Sequence, residues 1–181
     1  SPCEHVAAAA ISLTPVVALA TALGAGLLVP LGSFPAPIAF AGDFVLLAYL
    51  LALGRFFVAL GALDTGSPFE GMGAAREVGF AWLTEPALFF AFLALVRISG
   101  SLRLSQMLRA TEGGLWLERT APLLLTAAGL LIVLIAECSR LPVDNPATHL
   151  ELTMIHEVMV LDHSGPALGL VLYGAWLKLL V

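Results

Sequence analysis

The sequence contains few charged residues for its length. Only 12% of the 181 residues are charged, whereas a soluble domain carries about a quarter. The 8 Lys and Arg and the 13 Asp and Glu give a formal net charge of -5 and form no basic patch. Hydrophobic residues make up 60% of the chain, and the mean hydropathy is +0.99. These values exclude a water-soluble globular protein, a disordered tail and a nucleic-acid-binding protein, and they predict an integral membrane protein.

The chain also has too few thiols for a disulfide framework, an iron–sulfur cluster or a structural zinc site. Cys3 and Cys138 are far apart, and no C-x-x-C pair occurs. The H-E-x-x-H motif is absent, and His149 and His156 are two helical turns apart, which is too far to share a metal on one straight helix. No Ser-His-Asp elbow or glycine-rich phosphate loop occurs either. We therefore predict no catalytic residue and no metal site, and we expect any redox cofactor on a partner protein.

Long apolar segments dominate what is present. A transmembrane helix needs about 20 mostly apolar residues to cross about 30 Å of hydrocarbon. Four segments meet this length, and a fifth holds only 16 residues before the chain ends. The short fifth segment and the absence of Met at position 1 lead us to expect an internal fragment of a longer subunit. We predict an all-α fold, a polytopic transmembrane helix bundle in the single domain 1–181 with four complete spans and a truncated fifth, at 6–29, 43–63, 76–96, 120–138 and 166–181.

Two local patterns refine this prediction. Glycines such as Gly54 and Gly61 recur within the spans, and small residues let transmembrane helices approach closely where lipid gives no hydrophobic drive for association. The pattern favours a packed bundle over isolated anchors. Between spans four and five lies a polar loop, in which Pro142 and Pro146 exclude regular helix. A short helix is predicted after them, from about Thr148.

Ionisable residues inside the spans are the candidate functional groups. A charged side chain near the bilayer centre costs about 2.5–3.5 kcal/mol, so such groups persist where they are paired or line a wet cavity. Arg55 lies twelve residues into its span and needs an anion, and Glu85 is the natural candidate partner. Glu77 lies eight residues before Glu85 on an adjoining helix face, and Glu137 ends the fourth span. We predict that these four residues form part of an ion path.

Two alternatives remain open at this point. In the first alternative, Glu77 and Glu137 lie at the membrane surface and are simply hydrated. In the second, Arg55 and Glu85 form an ion pair with a purely structural role. The path interpretation requires a carboxylate that alternates between its ionised and protonated forms. Burial favours the protonated form, whereas a nearby arginine favours the ionised form. Movement of a neighbouring helix would then switch the carboxylate between the two.

Three stretches of the chain resemble one known family. These are GRFFVALGALDTGSPFEGMGAARE at 54–77, the Glu-Pro pair at 85–86 and PVDNPATHLELTMIHE at 142–157. They resemble the membrane subunit of the energy-converting group 4 nickel–iron hydrogenases, and the formate-hydrogenlyase and hydrogenase-4 type looks closest. That subunit is related to the quinone-site subunit of respiratory complex I. The resemblance covers nearly the whole chain.

The resemblance implies a subunit that is not catalytic by itself. It would dock a hydrophilic arm, made of the nickel–iron large subunit and the iron–sulfur small subunit, and couple electron transfer to proton or sodium translocation in antiporter-like membrane partners. The nickel–iron centre and the iron–sulfur clusters would lie on those partners, and a quinone would bind only if the chain were the complex I subunit. The implied location is the cell inner (cytoplasmic) membrane, with multiple passes.

The resemblance also assigns residues. The complex I stretch A-E-T-x-R-x-P-F-D-L-A-E has counterparts here at Glu137, Arg140, Pro142, Asp144 and Glu151, and Arg76 and Glu85 match a further Arg and Glu of the family. We assign the ion path to six residues, Arg55, Glu77, Glu85, Glu137, Asp144 and Glu151. We assign docking of the soluble arm to seven residues, Arg76, Arg140, Pro142, His149, His156, Glu157 and Asp162.

Some positions depart from the complex I pattern. Two acids of its loop are Ala147 and His149 here, and Asn145-Pro146 replaces Leu-Ala. The loop therefore has fewer acidic residues than the complex I pattern. This argues against quinone chemistry and favours the hydrogenase branch. Three alternatives to a hydrogenase subunit stay open: a quinone-site subunit of a complex I-like NADH dehydrogenase, a stand-alone secondary transporter and a purely structural anchor.

Orientation in the membrane receives two opposed predictions. The segment between spans three and four, with its flanks, carries four arginines, Arg97, Arg103, Arg109 and Arg119. The opposite side carries only Arg76 and Arg140. The positive-inside rule would place the arginine-rich loop in the cytoplasm. The resemblance instead places the loop 138–165 there, and we prefer the resemblance because a difference of four to two is small.

Overall fold

The chain folds as a bundle of helices. The computed structural model describes residues 2–32, 34–111, 119–138, 155–160 and 162–181. Within these ranges the secondary structure is helical apart from an isolated bridge between Leu31 and Phe34. The predicted all-α fold is thus confirmed. Seven helices are described: α1 Pro2–Gly26, α2 Asp43–Asp64, α3 Pro68–Ser99, α4 Leu104–Thr111, α5 Thr120–Glu137, α6 His156–Met159 and α7 Gly165–Leu180.

Helix lengths agree with a protein that crosses the membrane several times. Among the described residues, three helices are long and apolar enough to span a bilayer, namely α2, α3 and α5. Two shorter apolar helical segments accompany them, Ser12–Gly26 within α1 and the 16 residues of α7. The chain is a multi-pass membrane protein.

Helix α3 is longer than the predicted span 76–96. It runs for 32 residues, because Ser67 and Pro68 form a favourable helix start and Gly100, in a left-handed conformation at φ 69°, ends it. Pro86 lies inside the helix. Proline has no N–H, so the hydrogen bond to the carbonyl four residues earlier is missing at this point. The helix therefore has a weak point one residue after Glu85.

Close contacts between small residues hold α1 against α2. A Cβ atom built on Gly54 would lie 2.6 Å from Thr21 Oγ1, and one built on Gly61 would lie 2.5 Å from Thr14 Oγ1. The two glycines are seven residues apart on α2, and so are the two threonines on α1. Helix α7 approaches α1 in the same way, since a Cβ on Gly174 would lie 3.3 Å from the backbone oxygen of Ala18. Three helices therefore pack almost backbone to backbone, as expected from their small residues.

Replacing Gly61 by valine is expected to loosen the contact between α1 and α2. The new side chain would displace Thr14, whose hydroxyl donates to the backbone oxygen of Phe57 at 3.1 Å. Overpacking of this kind costs about 1–3 kcal/mol. Thermal unfolding of the purified full-length protein in detergent measures the loss. Gly79→Val is the matched control, because a Cβ at Gly79 meets nothing within 4 Å, and an equal loss in both variants would contradict this packing.

The two ends of the bundle are closed by different contacts. At one end α6 lies on the first turns of α3, where a Cβ on Gly73 would be 3.1 Å from the backbone oxygen of Ile155. At the other end Asp43 Oδ1 accepts a 2.7 Å hydrogen bond from the N–H of Leu104, which fixes the start of α4 to the start of α2. Arg103 and the described end of the loop 138–165, residues 155–160, thus belong to opposite ends of the bundle. The two opposed predictions of orientation therefore exclude each other.

Candidate functional site

Arg55 lies near the middle of α2 and is buried, with 8% of its surface exposed. Its guanidinium joins two other helices. On α3, Nη2 contacts Glu85 Oε1 at 2.9 Å and Nη1 donates to Thr84 Oγ1 at 3.2 Å. On α5, Nη1 contacts Glu137 Oε2 at 2.9 Å. One fixed positive charge therefore connects α2, α3 and α5 inside the bundle.

The partner that the sequence indicated for Arg55 is present, although it is the more exposed of two. The side chain of Glu85 is 47% exposed, whereas that of Glu137 is 7% exposed. Glu137 Oε1 has no hydrogen-bond partner among the described residues. A buried carboxylate held by one oxygen, with the other oxygen unbonded, is a group that can accept a proton. Of the two carboxylates that Arg55 binds, Glu137 is therefore the buried one.

A small polar cavity lies beside the Arg55–Glu137 ion pair. Its volume is about 30 Å³, which is enough for a water molecule. Helices α2, α3, α5, α6 and α7 each contribute to its wall. Six polar or titratable side chains line it: Arg55, Glu77, Glu137, Cys138, His156 and Lys178. We call this space the charge cavity.

A second cavity lies on the other side of the same ion pair. It also measures about 30 Å³ and is lined by Arg55, Glu85 and Glu137 together with apolar residues of α2 and α3. The Arg55–Glu137 pair thus separates Glu77 on one side from Glu85 on the other. Glu77 and Glu137 are buried, with 6% and 8% of their surface exposed. Their burial argues against the alternative in which both are hydrated at the membrane surface.

An apolar cavity of about 300 Å³ opens next to Glu137 and Lys178. Leucines and other aliphatic residues of α2, α3, α4, α5 and α7 form most of its wall. The charged side chains therefore lie between a small polar cavity and a larger apolar one. In so apolar a surrounding, electrostatic interactions are stronger than in water.

The structure brings together four of the six residues assigned to the ion path, Arg55, Glu77, Glu85 and Glu137. Asp144 and Glu151 lie outside the described residues. The role of all six in carrying ions stays a prediction.

Of the residues assigned to docking, Arg76 is partly buried on α3 and His156 lines the charge cavity. Asp162 is exposed, and its backbone N–H donates to Glu70 Oε1 at 3.3 Å. Glu157 belongs to α6, but its side chain is not among those described. The other three, Arg140, Pro142 and His149, also lie outside the described residues. Docking therefore stays a prediction too.

Two buried polar residues, Thr84 and Glu70, and the partly buried Lys178 were missed by reasoning from the sequence. Thr84 accepts a hydrogen bond from Arg55. The only sign of this contact in the sequence was that Thr84 is next to Glu85, the predicted partner of Arg55. Glu70 is 1% exposed and anchors Asp162 to the start of α3, although its position before the predicted span suggested a surface residue. Lys178 lines the charge cavity, whereas the sequence showed only a lysine near the end of a short apolar segment.

Comparisons with known proteins agree with the resemblance noted from the residues. A family model described as NADH dehydrogenase matches residues 3–181. The chain is 37% identical over 169 residues to Hydrogenase-4 component C and 32% identical over 170 residues to Formate hydrogenlyase subunit 4, both of Escherichia coli (strain K12). Each alignment covers 93% of this chain, and 52% and 54% of the respective relative. The chain thus spans about half the length of these two relatives.

A relative of a second kind is also found, an NADH-quinone oxidoreductase subunit of Geobacter metallireducens. It is 30% identical over 138 residues, which is 75% of this chain and 40% of that protein. The hydrogenase-type relatives are therefore both more similar and more completely covered.

Proposed function

The chain belongs to the NADH dehydrogenase family, and we propose that it is the membrane subunit of a hydrogenase complex that couples electron transfer to proton or sodium translocation. The greater similarity to Hydrogenase-4 component C and Formate hydrogenlyase subunit 4 supports this branch of the family. In this proposal the chain is a non-catalytic subunit of an oxidoreductase complex. It resides in the cell inner membrane, with the loop 138–165 on the cytoplasmic side.

The partners follow from the same proposal. The hydrogenase large and small subunits carry the nickel–iron centre and the iron–sulfur clusters, and antiporter-like subunits adjoin this chain in the lipid bilayer. The soluble arm docks on the end of the bundle formed by α6 and the start of α3, which presents Arg76 and Asp162. Asp144 and Glu151 continue the ion path toward that arm.

The observation that carries the proposal is the sharing of Arg55 between Glu85 and Glu137. A buried arginine cannot lose its proton, so its position depends on the carboxylates around it. Protonation of Glu137 would weaken its hold on Arg55 and shift the guanidinium toward Glu85. Ion binding on one side of the pair is thereby linked to the relative positions of α2, α3 and α5. A subunit that couples electron transfer to ion movement needs a linkage of this kind.

Replacing Glu85 by glutamine tests the proposal. Arg55 keeps Glu137 as its ionic partner, so the protein is expected to assemble. Glutamine has nearly the same shape but cannot exchange a proton, so ion translocation per electron transferred is expected to fall several-fold. Membrane vesicles that contain the full complex allow electron transfer and ion uptake to be measured in the same sample.

Arg97→Gln is the control, because Arg97 is exposed near the end of the same helix and its replacement also removes one charge. It is expected to leave translocation unchanged. Normal translocation in Glu85→Gln with intact assembly would leave only the anchoring role for this chain. Substrate-driven ion flux by the reconstituted full-length subunit alone would instead support a stand-alone transporter.

A second candidate function is the quinone-site subunit of a complex I-like dehydrogenase. The similarity to the NADH-quinone oxidoreductase subunit of Geobacter metallireducens favours it. The purified complex distinguishes the two candidates. Hydrogen evolution without added quinone is expected for the hydrogenase branch, whereas electron transfer that requires quinone would support the second candidate.

A further inference from the structure

Lys178 is the only lysine of the chain, and it faces the charge cavity from α7. Nothing in the proposed function uses it. An ammonium group inside a transmembrane bundle is costly and is retained where it has anionic neighbours or water. The cavity has anionic neighbours, because Glu77 and Glu137 line the same wall, and its volume is large enough for a water molecule.

The stem of Lys178 reaches α2 next to Arg55. A Cβ built on Gly54 would lie 3.8 Å from Lys178 Cε, so the absence of a side chain at Gly54 gives the lysine its path. Over the residues that the structure describes, Lys178 makes no ion pair within 4.0 Å and no hydrogen bond. Its ammonium is therefore near the cluster but is not fixed to one partner.

The charges around the cavity balance in pairs. Arg55 and Lys178 contribute two positive charges, and Glu77 and Glu137 contribute two negative charges when all four are ionised. The four charges leave no excess negative charge at the cavity wall to attract a metal cation. A proton does not add an isolated charge when it moves from the lysine to a carboxylate, because both groups become neutral.

Lysine and arginine differ in their ability to release a proton. Arginine stays protonated in proteins, whereas a lysine in an apolar environment readily gives up its proton. Arg55 already binds Glu137 through Oε2, and Oε1 of the same carboxylate is unbonded among the described residues. The unbonded oxygen of Glu137 is therefore an available acceptor in the cavity that Lys178 shares, which Glu77 and His156 also line.

We infer that Lys178 exchanges a proton with Glu137 across the charge cavity. This inference rests on the proposed function and specifies the ion moved at this point as a proton. The Nζ–H bond of Lys178 breaks and an O–H bond forms at Oε1 of Glu137, directly or through one water molecule. The electron pair stays on the nitrogen, so the products are a neutral amine and a neutral carboxylic acid. Neutralised Glu137 then holds Arg55 more weakly, and the reverse transfer restores the ion pair.

Two substitutions of Lys178 in the full-length protein test the inference. Lys178→Met removes the charge at similar length, and Lys178→Arg keeps the charge but cannot release a proton. Both are expected to reduce ion translocation per electron by at least about a hundredfold, the lower range for loss of a positioned proton-transfer group. Arg97→Met is the control and is expected to translocate normally. Normal translocation in Lys178→Arg would show a fixed charge only and would overturn the inference.

A second measurement does not depend on turnover. Infrared difference spectra of the complex between acidic and alkaline pH contain a C=O band from protonated carboxylic acids. The contribution of Glu137 to this band is identified as the intensity that is lost in Glu137→Gln. We expect Lys178→Arg to shift or remove the same part of the band. An unchanged Glu137 signal in Lys178→Arg would overturn the inference.

A double substitution covers the case in which Lys178→Met fails to assemble. Lys178→Met with Glu137→Gln removes one charge of each sign and is expected to assemble and to translocate no less than Glu137→Gln alone, because both residues act in one step. A further loss in the double variant would overturn the inference.

If Glu85→Gln and Glu137→Gln reduce translocation but the Lys178 variants do not, the inference fails and the proposed function stands. If none of these variants reduces it, the proposed function itself fails.

Discussion

Arg55→Leu is expected to abolish assembly of the subunit into its membrane complex. The substitution leaves Glu137 buried without its ionic partner and removes the contacts that join α2 to α3 and α5. Removing one partner of a buried ion pair costs about 3–5 kcal/mol, because an uncompensated charge remains. This is a large part of the stability of a typical protein. The amount of full-length subunit recovered with the intact complex from solubilised membranes measures the effect.

A second variant shows whether assembly fails because a buried charge is left unbalanced or because the packing around Arg55 is lost. Arg55→Leu combined with Glu85→Gln and Glu137→Gln removes the cation together with both of its carboxylates. Replacing a buried ion pair as a whole is often neutral for stability, so assembly is expected to recover in large part. Ion translocation is expected to stay absent. Full assembly of Arg55→Leu alone would contradict the buried bridge between the three helices.

Glu137→Gln is expected to have the largest effect on ion translocation without loss of the fold. Arg55 keeps Glu85 and Thr84 on α3 as partners. The side-chain oxygen of the new glutamine can still accept a hydrogen bond from Arg55 Nη1 on the α5 side, so the three helices remain connected. Glutamine cannot take up a proton at the position between the two small cavities. Ion uptake per electron transferred is expected to fall by about a hundredfold or more. Electron transfer should continue in the same vesicles, without coupling to ion movement.

Glu70→Gln is the matched control for this prediction. Glu70 is also a buried carboxylate, but it binds the N–H of Asp162 and does not line the charge cavity. Glutamine keeps an oxygen that accepts this hydrogen bond, so translocation should be unchanged. Equal losses in Glu70→Gln and Glu137→Gln would indicate a general effect of removing buried carboxylates and would contradict a specific path through Glu137.

The helical architecture was largely predictable from local patterns. Hydropathy located the helices now seen at α2 and α5 to within a few residues, because a run of about 20 apolar residues has few alternatives in a membrane. Gly54 and Gly61 were correctly associated with close helix packing. The start of α3 was misplaced at Arg76 instead of Pro68, since the polar residues of its first turns masked the helix.

The site was only partly predictable. Arg55 had to have an anionic partner, and Glu85 is one. That Glu137 also binds Arg55, and with the more buried side chain, did not follow from the spacing of the residues. Lys178 was the least predictable member of the cluster, because it is separated from Arg55 by more than a hundred residues. No local pattern connects two such positions.

The sequence by itself determined the environment, the helices and the family of this protein, because each of these depends on composition or on residues close together in the chain. Only the tertiary structure decided which charges meet. The contact of Arg55 with Glu137, and the position of Lys178 in the same cavity, depend on the rotation and spacing of the helices. Both are set where glycines let helices approach closely, at contacts such as Gly54 with the side chain of Thr21 and Gly174 with the backbone of Ala18.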